Sequence, residues 1–189
     1  KRRQLILSMA ATGLAAQGLT ACKAGPSRED EARFLRRPMD TTTGDAAIRM
    51  RELVRFATLA PSSHNTQCWK FRTAGNTIRI EPDTLRRTPV VDPDDHHLFV
   101  SLGCAAENLT HAALAMGLQA TARYDPARDG AIEFTLEQTK PASSPLYQAI
   151  TQRQCTRGDF DGTALSRADL NQLERAGNST GEQTMSIAD

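Results

Sequence analysis

From about Asp95 to Gly117 the sequence is apolar on nearly every side. Leu98, Phe99, Leu102, Ala105, Ala106, Leu109, Ala112, Ala113, Leu114 and Met116 recur through it. A helix with so little polar surface has to sit inside a domain rather than on its surface. Gly103, Ala105, Ala106, Ala112, Ala113 and Ala115 are small, so other backbone can approach closely. Asp92 or Asp94 can cap its start, and Gly117 ends it. The rest of the chain has to pack around this helix. With 189 residues there is room for about one domain and part of another. At 39% hydrophobic, the chain can form a core but is too polar overall for an integral membrane protein.

The flanking segments supply material for that packing. From Asp45 to Leu59, apolar residues recur at Ile48, Met50, Leu53, Val54, Phe56, Ala57 and Leu59. Arg49, Arg51, Glu52 and Arg55 fill the other face, and Thr43 or Asp45 can cap, which predicts a helix. Cys68 to Thr73 and Thr77 to Glu81 alternate around Ala74-Gly75-Asn76, which predicts a short hairpin. Gln119 to Tyr124 and Ala131 to Glu137 predict two more strands, with Asp125-Pro126 and Asp129-Gly130 between them. A helix is expected over 144–153 with Leu146, Tyr147 and Ile150 on one face, and another after a Ser166 cap with Leu170 and Leu173 inward. The last ten residues read as the opening of a strand, and the chain does not begin with Met, so a fragment is expected.

The first 22 residues read as an address. Lys1-Arg2-Arg3 precedes a short, moderately apolar run over 5–19, too short to span a membrane as a stable helix but suited to a signal-peptide core. Arg2-Arg3 resembles a twin-arginine signal, and Leu19-Thr20-Ala21-Cys22 a bacterial lipobox. Two readings stand for Cys22, a lipid anchor or an accidental cysteine in a plain export signal. Either predicts an exported protein, periplasmic or held at a membrane. Removing Lys1, Arg2 and Arg3 leaves 20 basic against 22 acidic residues, a net −2, which gives no electrostatic case for nucleic acid. Residues 23–44 are charged and turn-rich without apolar periodicity and are expected to be a tether. Arg36-Arg37-Pro38 within it reads as a phosphate contact or a solvated basic linker.

The polar chemistry concentrates in one stretch. Ala60-Pro61-Ser62-Ser63-His64-Asn65-Thr66-Gln67 follows the first predicted helix, which Pro61 ends, and Cys68-Trp69-Lys70-Phe71 follows. Such a loop can wrap a planar polar ligand or serve as an ordinary helix-to-strand turn. Asp94-Asp95-His96-His97 has metal-ligand residue types, but adjacent histidines on a helix diverge, so a polar helix start is expected. His111 is expected to be a packed or hydrogen-bonded core histidine. Cys68, Cys104 and Cys155 are far apart, and no GxGxxG, P-loop or nucleophile elbow is present. Arg153 and Arg157, with Thr156 between, can fork onto one phosphate or form a surface pair beside Asp159 and Asp161.

Three stretches together carry a resemblance. The 60–71 stretch resembles the APSxxNxQPWxF signature of nitroreductase-like flavoproteins. Ser101 to Leu109, with Ala112, Ala113 and Gly117, resembles that family's central helix. Arg153-Gln154-Cys155-Thr156-Arg157 with Phe160 resembles the RxSxR/K…F segment with which ordinary members begin. That segment here follows the loop, an order similar to the Acg-type branch, in which two nitroreductase-like halves are fused. The resemblance implies an α+β fold, a small mixed or antiparallel sheet with long central helices. The first half, 45–140, would be complete, and the second, 141–189, truncated. It implies FMN as cofactor, with Pro61, Ser62, Ser63, Asn65 and Gln67 along the flavin and Arg153, Thr156 and Arg157 on its phosphate. It implies an internal pseudo-dimer and electron transfer from NAD(P)H or another donor to a nitroaromatic or quinone-like acceptor. No catalytic side chain is named, because in such enzymes the cofactor carries the chemistry. A flavin-sequestering exported protein, or a lipoprotein module with a vestigial flavin site, are the rival readings. Cys68 stands where the family usually has Pro, Cys155 where many members have Ser, and His96-His97 where an Arg is usual.

Overall fold

A computed structural model describes Gly25 and residues 27–178. The export-signal reading of residues 1–22 lies outside the described residues. The described residues divide into two units, the first ending at Arg153 and the second beginning at Gln154.

In the first unit, α1 (Arg28–Leu35) and α2 (Ala46–Ala57) precede the hairpin β1 (Trp69–Ala74) and β2 (Thr77–Pro82). The long helix α3 (His96–Ala115) follows, then β3 (Leu118–Asp125), β4 (Ala131–Gln138) and the short α4 (Pro145–Ile150). All pairings are antiparallel, in the order β1-β2-β4-β3. The architecture is α+β, as expected. α3 packs against the sheet, α2 and α4. Its Leu102, Ala105, Leu109, Ala112 and Ala113 are fully buried, meeting Ile78, Ile80 and Phe134 from the sheet and Leu53 and Phe56 from α2. Each large side chain buried in this way contributes about 1.5–3 kcal/mol. The outer sheet face is polar and half-solvated, as an antiparallel sheet permits. Arg72, Arg79, Glu133 and Arg123 lie opposite one another in register across it.

α3 is less enclosed than its composition suggests. Val100, Gly103 and Glu107 are exposed along one side. Gly117, at φ 77°, ends the helix as expected. The β3–β4 turn closes on Gly130, at φ 76°, where a Cβ would come within 2.5 Å of the Phe99 ring. Only glycine satisfies both demands.

The segment 23–44 is not a plain tether. Ser27 caps α1 by accepting the Asp30 amide, and the chain beyond α1 is fixed by arginines. Arg36 donates to the carbonyls of Thr151 and Arg153 at 2.8 and 2.9 Å. Arg55, on α2, donates to the carbonyls of Leu35, Arg37 and Pro38. Glu52 pairs with both Arg55 and Arg37. Arg55 also lies over the Phe56 ring, which stacks on Tyr147 at 5.5 Å. Arg36 and Arg37 are therefore tied into the fold and do not form a solvated linker. They carry charge in the sequence because backbone carbonyls and a buried carboxylate need donors. The division after Arg153 also leaves α4, expected to open a second half, packed on α3 in the first unit.

In the second unit, residues 154–166 have no regular secondary structure, and α5 (Arg167–Gly177) begins at a capping box formed by Ser166 and Asp169. No residue of α5 is fully buried: Leu170 is half-buried and Leu173 exposed, so the expected inward face is not formed.

Hydrogen bonds from Arg55 hold the Glu52 carboxyl below the 4.5 of an ordinary glutamate, against the opposing effect of burial, with the Arg55 and Arg37 charges assisting. A depressed folded pKa means the stabilisation is fully present above the unfolded pKa and is lost as pH falls through the folded one. Arg55→Met should cost about 3 kcal/mol in urea unfolding at pH 7, because it strands a buried carboxylate. Glu52→Gln should flatten the fall in stability below about pH 4.5.

Candidate functional site

The 60–67 loop runs from the end of α2 across the first turns of α3. Ser63–Asn65 form a single 3-10 turn, closed by Asn65 N–H donating to Ser62 O and Thr66 N–H to Ser63 O. Three residues without the freedom of glycine sit in the left-handed region: His64 at φ 50°, Asn65 at 54° and Gln67 at 50°. Left-handed backbone costs roughly 1–2 kcal/mol for an ordinary residue and less for Asn. Three anchors offset that cost, each a hydrogen bond with a net contribution of about 1 kcal/mol. Gln67 N–H donates to Ser62 Oγ at 3.0 Å, Ser63 N–H to Ser101 Oγ at 3.1 Å, and Arg86 Nη1 to Thr66 O at 3.0 Å. Beneath the loop, the Cys68 thiol is buried and directed at Leu98 O, 3.8 Å away. Trp69 is buried as the anchor on the strand side.

In this loop the amides of Ser63, Asn65, Thr66 and Gln67 are thus consumed within the fold. Its side chains are not: among the described residues, those of Ser63, Asn65 and Gln67 have no hydrogen-bond partner, and Asn65 and Gln67 are exposed. A strained loop offering two carboxamides and a hydroxyl outward suits the edge of a planar ligand rich in donors and acceptors. A plain turn would need neither the strain nor the anchors.

Arg153 meets the other end of the loop. Its Nη2 donates to Leu59 O at 3.0 Å, at the residue before Ala60-Pro61. Pro61, Ser62, Ser63, Asn65, Gln67 and Arg153 are therefore gathered on one unit, although Arg153 lies far along the sequence. Thr156 and Arg157 belong to the second unit, on exposed irregular chain.

A polar seam on α3 makes this gathering. Ser101, Cys104, Asn108 and His111 recur every three or four residues and so share a face. Ser101 takes the Ser63 amide, and Asn108 Nδ2 donates to Phe56 O at 3.2 Å. Burial pushes the Cys104 thiol up, with the Arg153 charge opposing and Glu107 reinforcing it. His111 Nε2 lies 2.9 Å from Glu107 Oε1, and its Nδ1 3.4 Å from the α4 cap Ser144. His111 is half-buried and packed between α3 and α4, bonded through Nδ1, while its Nε2 makes no hydrogen bond among the described residues. A shallow cleft of about 190 Å³ between α3 and α4 is lined by Glu107, Asn108, His111, Leu146, Ile150 and Arg153.

The first turn of α3 depends on Asp92, which is buried and accepts from the His97 and Leu98 amides at 3.0 Å and contacts His97 Nδ1 at 3.1 Å. Burial opposes its ionisation, but these contacts outweigh it and hold the carboxyl below the usual carboxylate range. Asp95, the residue before the helix, is left-handed at φ 60° and does not cap with its side chain. The Asp94–His97 stretch is a capped helix start, with Asp92 doing the capping. The sequence reading missed the roles of Ser101, Arg86 and Asn108. The spacing of Ser101, Cys104, Asn108 and His111 was the available signal, masked by the apolar residues around it.

No family model matches the chain. Over 90 residues it is 33% identical to the "Putative NAD(P)H nitroreductase" Rv3131 of Mycobacterium tuberculosis H37Rv, and equally to MT3217, described in the same words, of strain CDC 1551. The match takes in 47% of this chain and 25% of each relative, so it spans about a quarter of the length of those proteins. Among solved structures, a "Putative NADH Oxidase" from Clostridium acetobutylicum covers 72% of this chain at 13% identity, with 99% of its own length and a TM-score of 0.42. A nitroreductase family protein from Streptococcus pneumoniae TIGR4 covers 72% at 18% identity, with 98% of its length and a TM-score of 0.40. At scores this low the superpositions bear no functional conclusion.

The backbone geometry of the loop is directly testable. Gln67→Gly should stabilise the fold by up to about 1 kcal/mol, whereas Gln67→Val should destabilise it by roughly 1–2 kcal/mol. Urea unfolding of the two variants reads the opposite signs.

Proposed function

We propose that this chain is part of an FMN-dependent oxidoreductase of the nitroreductase type. The observation that carries the reading is the outward donor edge of Ser63, Asn65 and Gln67, held on strained and anchored backbone with Arg153 at its threshold. The 33% identity to two nitroreductase-named relatives supports it.

Bound FMN would supply hydride acceptance and donation. The chain's own residues would bind and orient it. Pro61 ends α2 and turns the loop, and Ser62 fixes the Gln67 amide. The side chains of Ser63, Asn65 and Gln67 would engage the flavin edge. Arg153, Thr156 and Arg157 would hold its phosphate, the guanidinium groups as charge-assisted donors. Electrons would come from NAD(P)H or another donor and pass to a nitroaromatic or quinone-like acceptor. The export signal and Cys22 would place the protein in the periplasm or on a membrane by a lipid anchor, and the Acg-like order of motifs would make it an internal pseudo-dimer. The same export signal favours a second reading, in which the protein binds flavin without turnover, since an exported protein would not meet cytoplasmic NAD(P)H.

Expression of the complete gene separates the two. Anaerobic bleaching of bound flavin by NADPH, with reduction of a nitroaromatic, is expected for the oxidoreductase. Bleaching by dithionite alone supports sequestration, and a colourless protein that FMN cannot reconstitute contradicts both. Arg157→Ala should weaken FMN binding by about 1–3 kcal/mol, measured by fluorescence titration, and unchanged affinity would refute the phosphate assignment.

A further inference from the structure

The direction of the loop's donor edge depends on a hydroxyl from another element. Ser101, on α3, is only 3% exposed. Its Oγ donates to His97 O at 2.7 Å, the carbonyl four residues back, and accepts the Ser63 amide at 3.1 Å. The first bond fixes the side-chain rotamer, and the remaining lone pairs then face the loop. Ser63 opens the 3-10 turn, and the left-handed His64 and Asn65 follow it directly. A shift at the Ser63 amide therefore carries into Asn65 and Gln67, because the intervening backbone is closed by its own hydrogen bonds.

We propose that Ser101 is a positioning residue. Through the Ser63 amide it sets the direction in which Ser63, Asn65 and Gln67 present their side chains, and with it the affinity and electronic environment of the ligand they meet. The inference rests on the flavin reading above and goes beyond it, since Ser101 is buried and acts through the Ser63 amide.

The test uses the full-length protein with Ser101→Ala and Ser101→Thr. Exchange of the Ser63 amide is followed by NMR without ligand. FMN affinity and the visible spectrum of bound flavin are then measured on the same preparations. Ser101→Ala should speed Ser63 exchange and weaken FMN binding, each by about tenfold, and shift the flavin band. Ser101→Thr, whose hydroxyl can bond the same carbonyl, should restore all three to within about twofold. If the alanine variant does not fold, Ser101→Cys, with its weaker donor and acceptor, is read in its place. Unchanged Ser63 exchange overturns the proposal whether or not FMN binds. Faster exchange with unchanged affinity and spectrum overturns it as well. A wild-type protein that takes no FMN overturns the flavin reading itself, an outcome told apart because Ser63 exchange is measured without ligand.

Discussion

α3 has to be a core helix and a polar scaffold at once. Its buried face contributes Leu102, Ala105, Leu109, Ala112 and Ala113 to the packing that holds sheet and helices together. Its seam carries Ser101, Asn108 and His111, which meet three different segments. The two tasks are compatible because helical periodicity separates them onto different faces. Ser101 answers the loop, Asn108 the last turn of α2, and His111 the cap of α4. The candidate site exists because one rigid element sets the position of each piece around it.

A second constraint comes from charge. The N-terminal stretch adds little apolar surface, since α1 buries nothing. It is fixed instead by guanidinium groups on backbone carbonyls. Arg36 ties it to the chain after α4, and Arg55 and Glu52 tie it to α2. The same Arg153 whose carbonyl receives Arg36 reaches back to Leu59. The arginine ties and the loop thus meet at Arg153.

Much of the fold was legible because it follows from local rules. The apolar periods predicted α2 and α3, the turn residues predicted both hairpins, and Gly117 and Ser166 marked helix boundaries within a residue or two. The loop was legible as a donor-rich break after Pro61. What escaped were long-range polar contacts. Nothing in the local pattern of Arg36-Arg37-Pro38 distinguishes a solvated linker from a clamp, because the carbonyls of Thr151 and Arg153 that decide it lie elsewhere in the chain. Ser101 was hidden for the same reason, as one hydroxyl in an apolar helix whose partner lies on another segment. Leu170 and Leu173 show the opposite failure, where a correct amphipathic period on α5 has no buried face beneath it.

The central proposal is that the strained 61–67 loop and Arg153, which donates to the carbonyl at its threshold, act on one ligand. Hydrogen exchange of the full-length protein with and without FMN tests it most directly. The account predicts slower exchange on FMN addition in two segments distant in sequence, 61–67 and 151–153, with the sheet amides of β2 and β4 unchanged. Protection in neither segment, or in the sheet alone, would contradict it.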